Sequence, residues 1–424
     1  MSYINFMYGK GSLGLDIDDN LLDGVLESGL HSYTPSADEA GLVKTAMGSP
    51  YGGKALRELA EGRERVVIIA SDHTRPVPSK IIIPPMLSEI RDGNPNADIT
   101  ILIATGCHRG TTREELVSKF GEEIVNNEKI YIHDCDNEDM LVNIGTLPSG
   151  GECCINRLAA EADLLLAEGF IEPHFFAGYS GGRKSVLPGI CSRRTVLANH
   201  CAEFIDSKSA RTGIIDGNPI HEDMVWAART AGLEYIVNVV LNAEKKVIYA
   251  VAGDMDAAHS AGCEFLSRYC GAKAKGSDIV ISTNGGYPLD QNIYQSVKGM
   301  TAAEAAVNEG GVIIMLASAT DGTGGDEFRD SMRAKSDPAE IYADIMCRGR
   351  NETVPDQWMT QILSRILMRA AVIYVSEADA DLIRDYHMIP ASSLDEAMKI
   401  ARRLKGDNAS VAAIPDGVSV MVTR

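Results

Sequence analysis

The chain has 424 residues, 45% hydrophobic and 23% charged, with 40 glycines and 16 prolines. That composition excludes a disordered or collagen-like chain, and the length predicts two or three domains at ~100–200 residues each. Forty basic against 59 acidic residues give a formal net charge of −19, which repels phosphate backbones and anionic lipid, so neither a nucleic-acid nor a membrane partner is expected.

The nine cysteines contain no C-x-x-C pair, which argues against zinc ribbons and thioredoxin-type motifs. An odd number in a long chain reads as free thiols in a reducing compartment. Residues 1–14 lack the basic-then-apolar order of a secretory signal, and no apolar run approaches the ~18 residues of a spanning helix. A soluble cytoplasmic protein is expected.

From about residue 60 onward, short β-branched runs alternate with helical patterns. Strands are predicted at 66–70, 98–105, 129–133, 164–168, 235–242 and 246–251, each bounded by charges, Gly or turn residues. Helices are predicted at 112–120, 219–231 and 257–269. A second series follows the Gly-bounded stretch 271–276, with strands at 278–283, 312–317 and 372–377. Its helices are predicted at 290–297, 338–347, 357–369 and 394–404, the last opened by a capping box of Ser393 and Glu396. The alternation predicts an α/β protein of two domains, each a mostly parallel sheet flanked by helices. The boundary is placed near residue 270, giving domains 1–270 and 271–409, with 410–424 a candidate to return to the first domain's sheet.

Three generic motifs fail on context. Gly9-Lys10-Gly11-Ser12-Leu13-Gly14 matches the dinucleotide fingerprint, but the alternating, acidic Leu15-Asp16-Ile17-Asp18-Asp19 reads as a strand where a helix is needed. It is predicted to be a turn. Gly181-Gly182-Arg183-Lys184-Ser185 resembles the tail of a phosphate-binding loop, yet Arg183 stands where Gly must precede the Lys, and Pro188 and Gly189 interrupt any following helix. His221-Glu222 begins a zinc-protease motif that Val225 ends.

Three polar segments follow predicted strands, at the carboxyl ends where α/β proteins bind ligands. They are Ser71-Asp72-His73-Thr74-Arg75-Pro76-Val77-Pro78, Thr105-Gly106-Cys107-His108-Arg109-Gly110-Thr111-Thr112, and the long run from Glu172 through His174 and Lys184 to Ser185. A following helical pattern carries His200. Single loop histidines are usually surface or capping residues. Four of the nine, His73, His108, His174 and His200, beside Arg75, Arg183 and Lys184, point instead to a metal-assisted or acid–base site. His31, His221, His259 and His387 lack such company and read as structural.

At these residues the chain resembles a known family. Asp72-His73-Thr74-Arg75-Pro76, Gly106-x-His108-Arg109, Glu172-Pro173-His174-x-Phe176-Ala177-Gly178-Tyr179-Ser180-Gly181-Gly182-Arg183-Lys184 and Gly286-Tyr287-Pro288-x-Asp290-x-Asn292-x-Tyr294-Gln295-x-x-Lys298-Gly299 resemble the nickel-dependent lactate racemase family. The motifs span residues 72–299 in family order, and length and two-domain division fit over essentially the whole chain. The resemblance implies racemisation or epimerisation of a lactate-type 2-hydroxy carboxylate. It also implies a nickel-pincer nucleotide (a pyridinium-3-thioamide-5-thiocarboxylic acid mononucleotide) made by separate maturation enzymes, without which the protein would be apo. Lys184 would be the covalent tether and His200 the nickel's protein ligand. His108 and His174 would be the paired acid/base residues. Asp72, His73, Thr74 and Arg75 of the first domain would line the cofactor, with Arg75 also near the substrate. Gln295 and Lys298 would contact the substrate from the second domain, putting the active site in the inter-domain cleft.

The residue types suit that reaction. A carboxylate stabilises an α-carbanion poorly, whereas loss of the α-hydrogen as hydride gives a planar 2-keto acid that can be re-reduced on either face. The acceptor must be fixed in place. Enantiomers present the hydroxyl in opposite directions, which calls for two bases, and cations such as Arg75 and Lys298 would pair with the carboxylate or the alkoxide. Two alternatives stay open on residues alone: a divalent-metal (zinc) hydrolase built on the same histidines and Asp72, and a non-catalytic protein binding a small anion or nucleotide.

Overall fold

A computed structural model describes residues 1–424 and divides the chain into two compact units. One unit comprises Leu30–His200 and Ser207–Leu266; the other comprises Met1–Gly29, Cys201–Asp206 and Ser267–Arg424. Both are α/β, as the alternating pattern predicts.

The unit containing Leu30–His200 is built on a six-stranded sheet in the order Val247–Gly253, Leu233–Leu241, Leu164–Phe170, Arg65–Ser71, Asp98–Ala104, Lys129–Ile132. Only the first pair is antiparallel. Val66 to Ala70 and Leu164 to Phe170 are continuously buried, the pattern of strands covered on both faces. From Arg65–Ser71 the chain steps outward through Asp98–Ala104 and Lys129–Ile132, then returns to lay Leu164–Phe170 on the other side. The connections leaving Arg65–Ser71 and Leu164–Phe170 therefore diverge, and the crevice outside their carboxyl ends is where open α/β sheets bind ligands. The first and third polar segments start there.

Helix Ser79–Gly93 covers one face with Ile82, Ile83, Met86, Leu87 and Ile90. It is absent from the predicted elements, because Pro84 and Pro85 in its interior lack N–H donors and are the usual mark of a helix end. Burial of those five apolar side chains, at ~1.5–3 kcal/mol each, outweighs the lost helical bonds.

The second unit carries a six-stranded, wholly parallel sheet in the order Ile389–Ala391, Ala370–Val375, Val307–Leu316, Ser277–Thr283, Val411–Ile414, Leu22–Val25. Its divergence point lies between Ser277–Thr283 and Val411–Ile414. The segment from Gly286 to Gly299 leaves from the first of these strands.

Domain membership differs from the sequence reading at both termini. Met1–Gly29, expected in the first domain, belongs to the second unit: the hairpin Ser2–Tyr8/Gly11–Ile17 buries Ile4, Phe6 and Ile17 on this unit's core, and Leu22–Val25 forms its edge strand. Residues 410–424 do not return to the first domain either. Val411–Ile414 is inserted beside Ser277–Thr283, and Met421–Thr423 pairs with Gly271–Lys273. Pairings this distant in sequence leave no local trace. The Gly9 turn is real, with Gly9 at φ +52° closing the hairpin.

Helix Ile293–Ala306 starts later and runs longer than predicted, because the Asn292 side chain accepts the Gln295 N–H at 2.9 Å and caps it. The Ser393/Glu396 box is half formed: Ser393 accepts the Glu396 N–H at 3.2 Å, while the Glu396 carboxylate turns to Ser392. No helix is long and apolar enough to cross a membrane.

Candidate active site

The first polar segment bends tightly on Asp72. Its Oδ1 accepts the Thr74 N–H at 3.1 Å and the Thr74 hydroxyl at 2.6 Å. Its Oδ2 accepts Nδ1–H of His108 at 2.7 Å. Neighbouring parallel strands bring these residues together across 36 positions. The carboxylate is 1% exposed and the imidazole 44%. Burial opposes ionisation of Asp72, but hydrogen bonds from His108 and Thr74, with the charge of His108 when its ring is protonated and that of Arg75, outweigh it and hold the carboxyl below its usual range. With its Nδ1 hydrogen committed to Asp72, His108 carries its lone pair on Nε2.

His73 and Arg109 turn elsewhere. The His73 ring meets Thr111 Oγ1 at 3.1 Å and Glu115 at 3.6 Å, and Arg109 pairs with the same Glu115 at 2.5 Å. Glu115 also completes the capping box of helix Arg113–Phe120. Arg75 is exposed and makes no ion pair.

The third segment forms a second cluster. Pro173–His174 pairs with Gly178–Tyr179 in a minimal hairpin, and the Ala177 N–H donates to Nδ1 of His174 at 3.2 Å. Nε2 of His174 lies 3.3 Å from Nζ of Lys184. The Phe176 ring centres the group: it meets His174 edge-on at 4.6 Å and His200 at 5.1 Å, with Nζ of Lys184 5.7 Å from its centroid. His200 follows helix Arg193–Asn199 and donates Nδ1–H to the Val196 carbonyl at 3.0 Å, which places its lone pair on Nε2. Burial first, then the Lys184 charge, pulls its pKa down to about 3, so it is a neutral imidazole at pH 7. The second and third segments are joined by a bond from Gly106 N–H to the Gly189 carbonyl at 2.9 Å.

Arg183 does not face this cluster. It is fully buried, and its guanidinium donates to the carbonyls of Tyr179, Ser180, Gly181 and Ala177 at 2.7, 3.3, 3.2 and 2.8 Å. It also meets His221 Nδ1 and His259 Nε2, each at 3.0 Å. Burial lowers its pKa to about 10, and burial together with the Arg183 charge pulls His221 to about 3 and His259 well down. A guanidinium with no carboxylate partner thus organises the turn before Lys184. Sequence reasoning grouped Arg183 with the site cations; its partners lie 38 and 76 residues away, with no spacing signal to connect them. The positive φ at Gly181 and Gly182 completes that turn, and a Cβ at Gly181 would sit 2.7 Å from the Asn238 side chain.

Gln295 and Lys298 lie in the other unit, where Nζ of Lys298 donates to Oε1 of Gln295 at 2.7 Å. The same motif's Asp290 is spent on folding: its Oδ2 accepts the N–H groups of Gly9 and Ser318 at 2.7 and 3.1 Å.

The four site histidines do not converge as a hydrolytic zinc centre requires. The one trio of His, Cys, Asp or Glu side chains within ligand distance of one another is Asp134, Cys135 and Asp136, and it includes none of them.

Known proteins resemble this chain over its whole length. The lactate racemase N-terminal domain family matches residues 8–213, and the lactate racemase C-terminal domain family matches residues 272–422. The lactate racemase of Thermoanaerobacterium thermosaccharolyticum is 52% identical over 423 residues, spanning 100% of this chain and 99% of that one. The chain belongs to the lactate racemase family. The lactate racemase of Lactiplantibacillus plantarum is 53% identical over 423 residues, with 100% of both chains covered. The solved structure of the T. thermosaccharolyticum lactate racemase apoprotein superposes with a TM-score of 0.97 over 100% of both chains. A Thermotoga maritima protein of 18% identity shares the fold at a TM-score of 0.64, over 92% of this chain and 99% of that one. As a lactate racemase family member the chain is an isomerase of the racemase type, and the two-domain α/β fold expected from sequence is the family's fold.

Proposed function

We propose that this protein interconverts the enantiomers of lactate by moving the α-hydrogen as hydride, through the planar 2-keto acid, in the cytoplasm. The observation that carries this reading is the Phe176-centred cluster, which gathers a lysine, a neutral imidazole with its lone pair on Nε2, and a second histidine in the segment that follows the carboxyl end of strand Leu164–Phe170 and the helix after it.

Those residues fit the nickel-pincer nucleotide the family resemblance implies. His200 is a borderline nitrogen donor of the kind that suits nickel, already in its neutral form and oriented by its bond to Val196, as a metal-ligating histidine should be. Lys184 offers the amine for covalent attachment, and Asp72, Thr74 and Arg75 would border the nucleotide, with His73 contributing its main chain because its ring turns to Thr111. When bound, this group supplies the hydride acceptor. Its attachment calls for maturation enzymes as transient partners. All nine cysteines are unbridged, which suits a reducing compartment.

The chain's own residues do the remaining work. Nε2 of His108 takes the hydroxyl proton of one enantiomer, and Asp72 behind it holds the ring and faces the charge that arrives. His174 serves the opposite face; to take a proton there on Nε2 its ring must carry its hydrogen on Nδ1, and so release the Ala177 N–H. Arg75 pairs with the substrate carboxylate, and Gln295 and Lys298 are the proposed substrate contacts of the second unit.

The test follows the hydrogen. With cofactor-loaded protein, lactate deuterated at C2 yields the other enantiomer with most of its label kept in ordinary water, and the keto acid is trapped on quenching. Rapid wash-out of deuterium with no keto acid would overturn the hydride reading. Intact mass should show an adduct that Lys184→Ala lacks.

A further inference from the structure

The segment carrying Asp72, Thr74 and Arg75 is gripped at both ends by ionisable side chains that belong to neither histidine cluster. At its start, Oε1 of the buried Glu168 accepts the Ser71 N–H at 3.0 Å, the Ser71 hydroxyl at 3.1 Å and the Ser79 hydroxyl at 3.0 Å. At its far end Lys119, from the last turn of helix Arg113–Phe120, donates from Nζ to the carbonyls of Arg75 at 3.0 Å and Val77 at 3.3 Å. Lys119 makes no ion pair; its hydrogen bonds go to these two main-chain carbonyls.

The arrangement answers a defect in the loop's own bonding. Pro76 and Pro78 have no N–H, so alternate residues of the stretch after Arg75 cannot donate to a main-chain partner. An ammonium with three donors on a long stem can bridge two carbonyls two residues apart and replace what the prolines remove. Arg75, by contrast, is exposed and unpaired, so only its backbone fixes where its guanidinium is presented.

We propose that Lys119 is a positioning residue for Arg75: by gripping the Arg75 and Val77 carbonyls it sets the backbone from which Arg75 reaches the substrate carboxylate. This rests on the substrate-binding role given to Arg75 above. Lys119 touches neither substrate nor cofactor.

The test is a double-mutant cycle on cofactor-loaded protein with Lys119→Met, Arg75→Ala and the pair, read as KM and kcat, alongside nickel content and amide exchange of the peptide spanning residues 71–82. Lys119→Met should raise KM by about tenfold or more, the scale of a charge-assisted hydrogen bond, with kcat changed less than about threefold. In the Arg75→Ala background it should add nothing, because its effect runs through Arg75. Exchange over 71–82 should quicken, and Lys119→Arg, which keeps the donors, should restore most of the KM. If Lys119→Met fails to fold, Lys119→Gln, retaining one donor group, enters the same cycle. A raised KM in Arg75→Ala with no change in the Lys119 variant, or additive losses in the pair, overturns the proposal and leaves Arg75 in place. An unchanged KM in Arg75→Ala removes the substrate-binding reading itself, and the positioning proposal with it.

Discussion

His108 and His174 are given the same chemical task, yet the fold anchors them in opposite ways. His108 is open to solvent on one side and backed on the other by the buried carboxylate of Asp72, to which it donates. His174 sits among aromatic rings, and its Nδ1 accepts from a main-chain N–H. The first orientation depends on a side chain 36 residues distant, the second on the local hairpin and on whatever holds that hairpin. One base is therefore vulnerable to a single polar substitution nearby, and the other is not.

The largest effects should come from the bases themselves. His108→Ala and His174→Ala should each lower kcat/KM by ~10²–10⁴-fold, the usual worth of acid–base catalysis. Asp72→Asn should approach the His108→Ala value. Thr74 donates twice to Oδ1, so an Asn there turns its NH2 toward His108 and drives the ring to the wrong tautomer, with hydrogen on Nε2. Enantiomers have equal free energies, so kcat/KM must fall equally in both directions, however unequal the two histidines are. Steady-state assays from each enantiomer check this. An Asp72→Asn enzyme of near-normal activity would show that the carboxylate does not orient the base. No single side-chain replacement can copy the effect at His174, whose orienting donor is Ala177 N–H.

The same contrast explains what was legible in the sequence. The strands, the polar segments at their ends and the four histidines all followed from local pattern, because strand burial and turn chemistry are written in contiguous residues. Which of those histidines pair with what was not. Asp72 meets His108 only because the strands before them are neighbours, and His73, adjacent to Asp72, turns away to Thr111. The termini failed for a related reason. Leu22–Val25, with the sequence LDGV, has no alternation to mark it, and Gly271–Lys273 reads as a linker until Met421–Thr423 is laid beside it. Arg183 was legible as a cation but not as a buried one.

Arg183 sharpens the comparison from the His174 side. Its guanidinium holds the Ala177, Tyr179, Ser180 and Gly181 carbonyls, and so the backbone that orients His174 and leads to Lys184. Arg183→Met is close in length but donates nothing. The buried Tyr179 carbonyl loses its donor at ~1–3 kcal/mol, and the Ala177, Ser180 and Gly181 carbonyls lose a charge-assisted bond each while keeping Tyr179 N–H, His259 and Lys184 N–H respectively. A loss of ~3 kcal/mol or more in unfolding free energy is expected by urea titration. Asp72→Asn, in a segment Arg183 does not touch, should cost less stability than that while costing more activity per kcal/mol. Equal stability of Arg183→Met and the parent would mean the carbonyl cage is not what holds this turn.

The smallest effect lies one step further back, at His221, which in turn holds Arg183. Its Nδ1 accepts from Nε of Arg183 at 3.0 Å, so the folded state requires the neutral ring. Burial, then the charges of Arg183 and Arg229, depress its pKa to about 3, against ~6.5 in an unfolded chain. Between those values the unfolded state binds a proton that the folded state does not. The contribution of this group is therefore fully present above about pH 6.5 and is lost progressively as pH falls toward 3. Linkage would allow ~2 kcal/mol between pH 7 and 5, and solvent at the exposed ring edge reduces this to ~1 kcal/mol. His221→Gln keeps an acceptor for Arg183 and cannot titrate, so its melting temperature should fall less between pH 7 and pH 5 than the parent's. A residual slope should remain, because His259 is buried on the other side of the same guanidinium and its depressed pKa acts in the same direction. If the variant and the parent lose the same number of degrees over that interval, the His221 ring is not neutral by virtue of Arg183, and the support behind His174 must be sought in the carbonyl contacts alone.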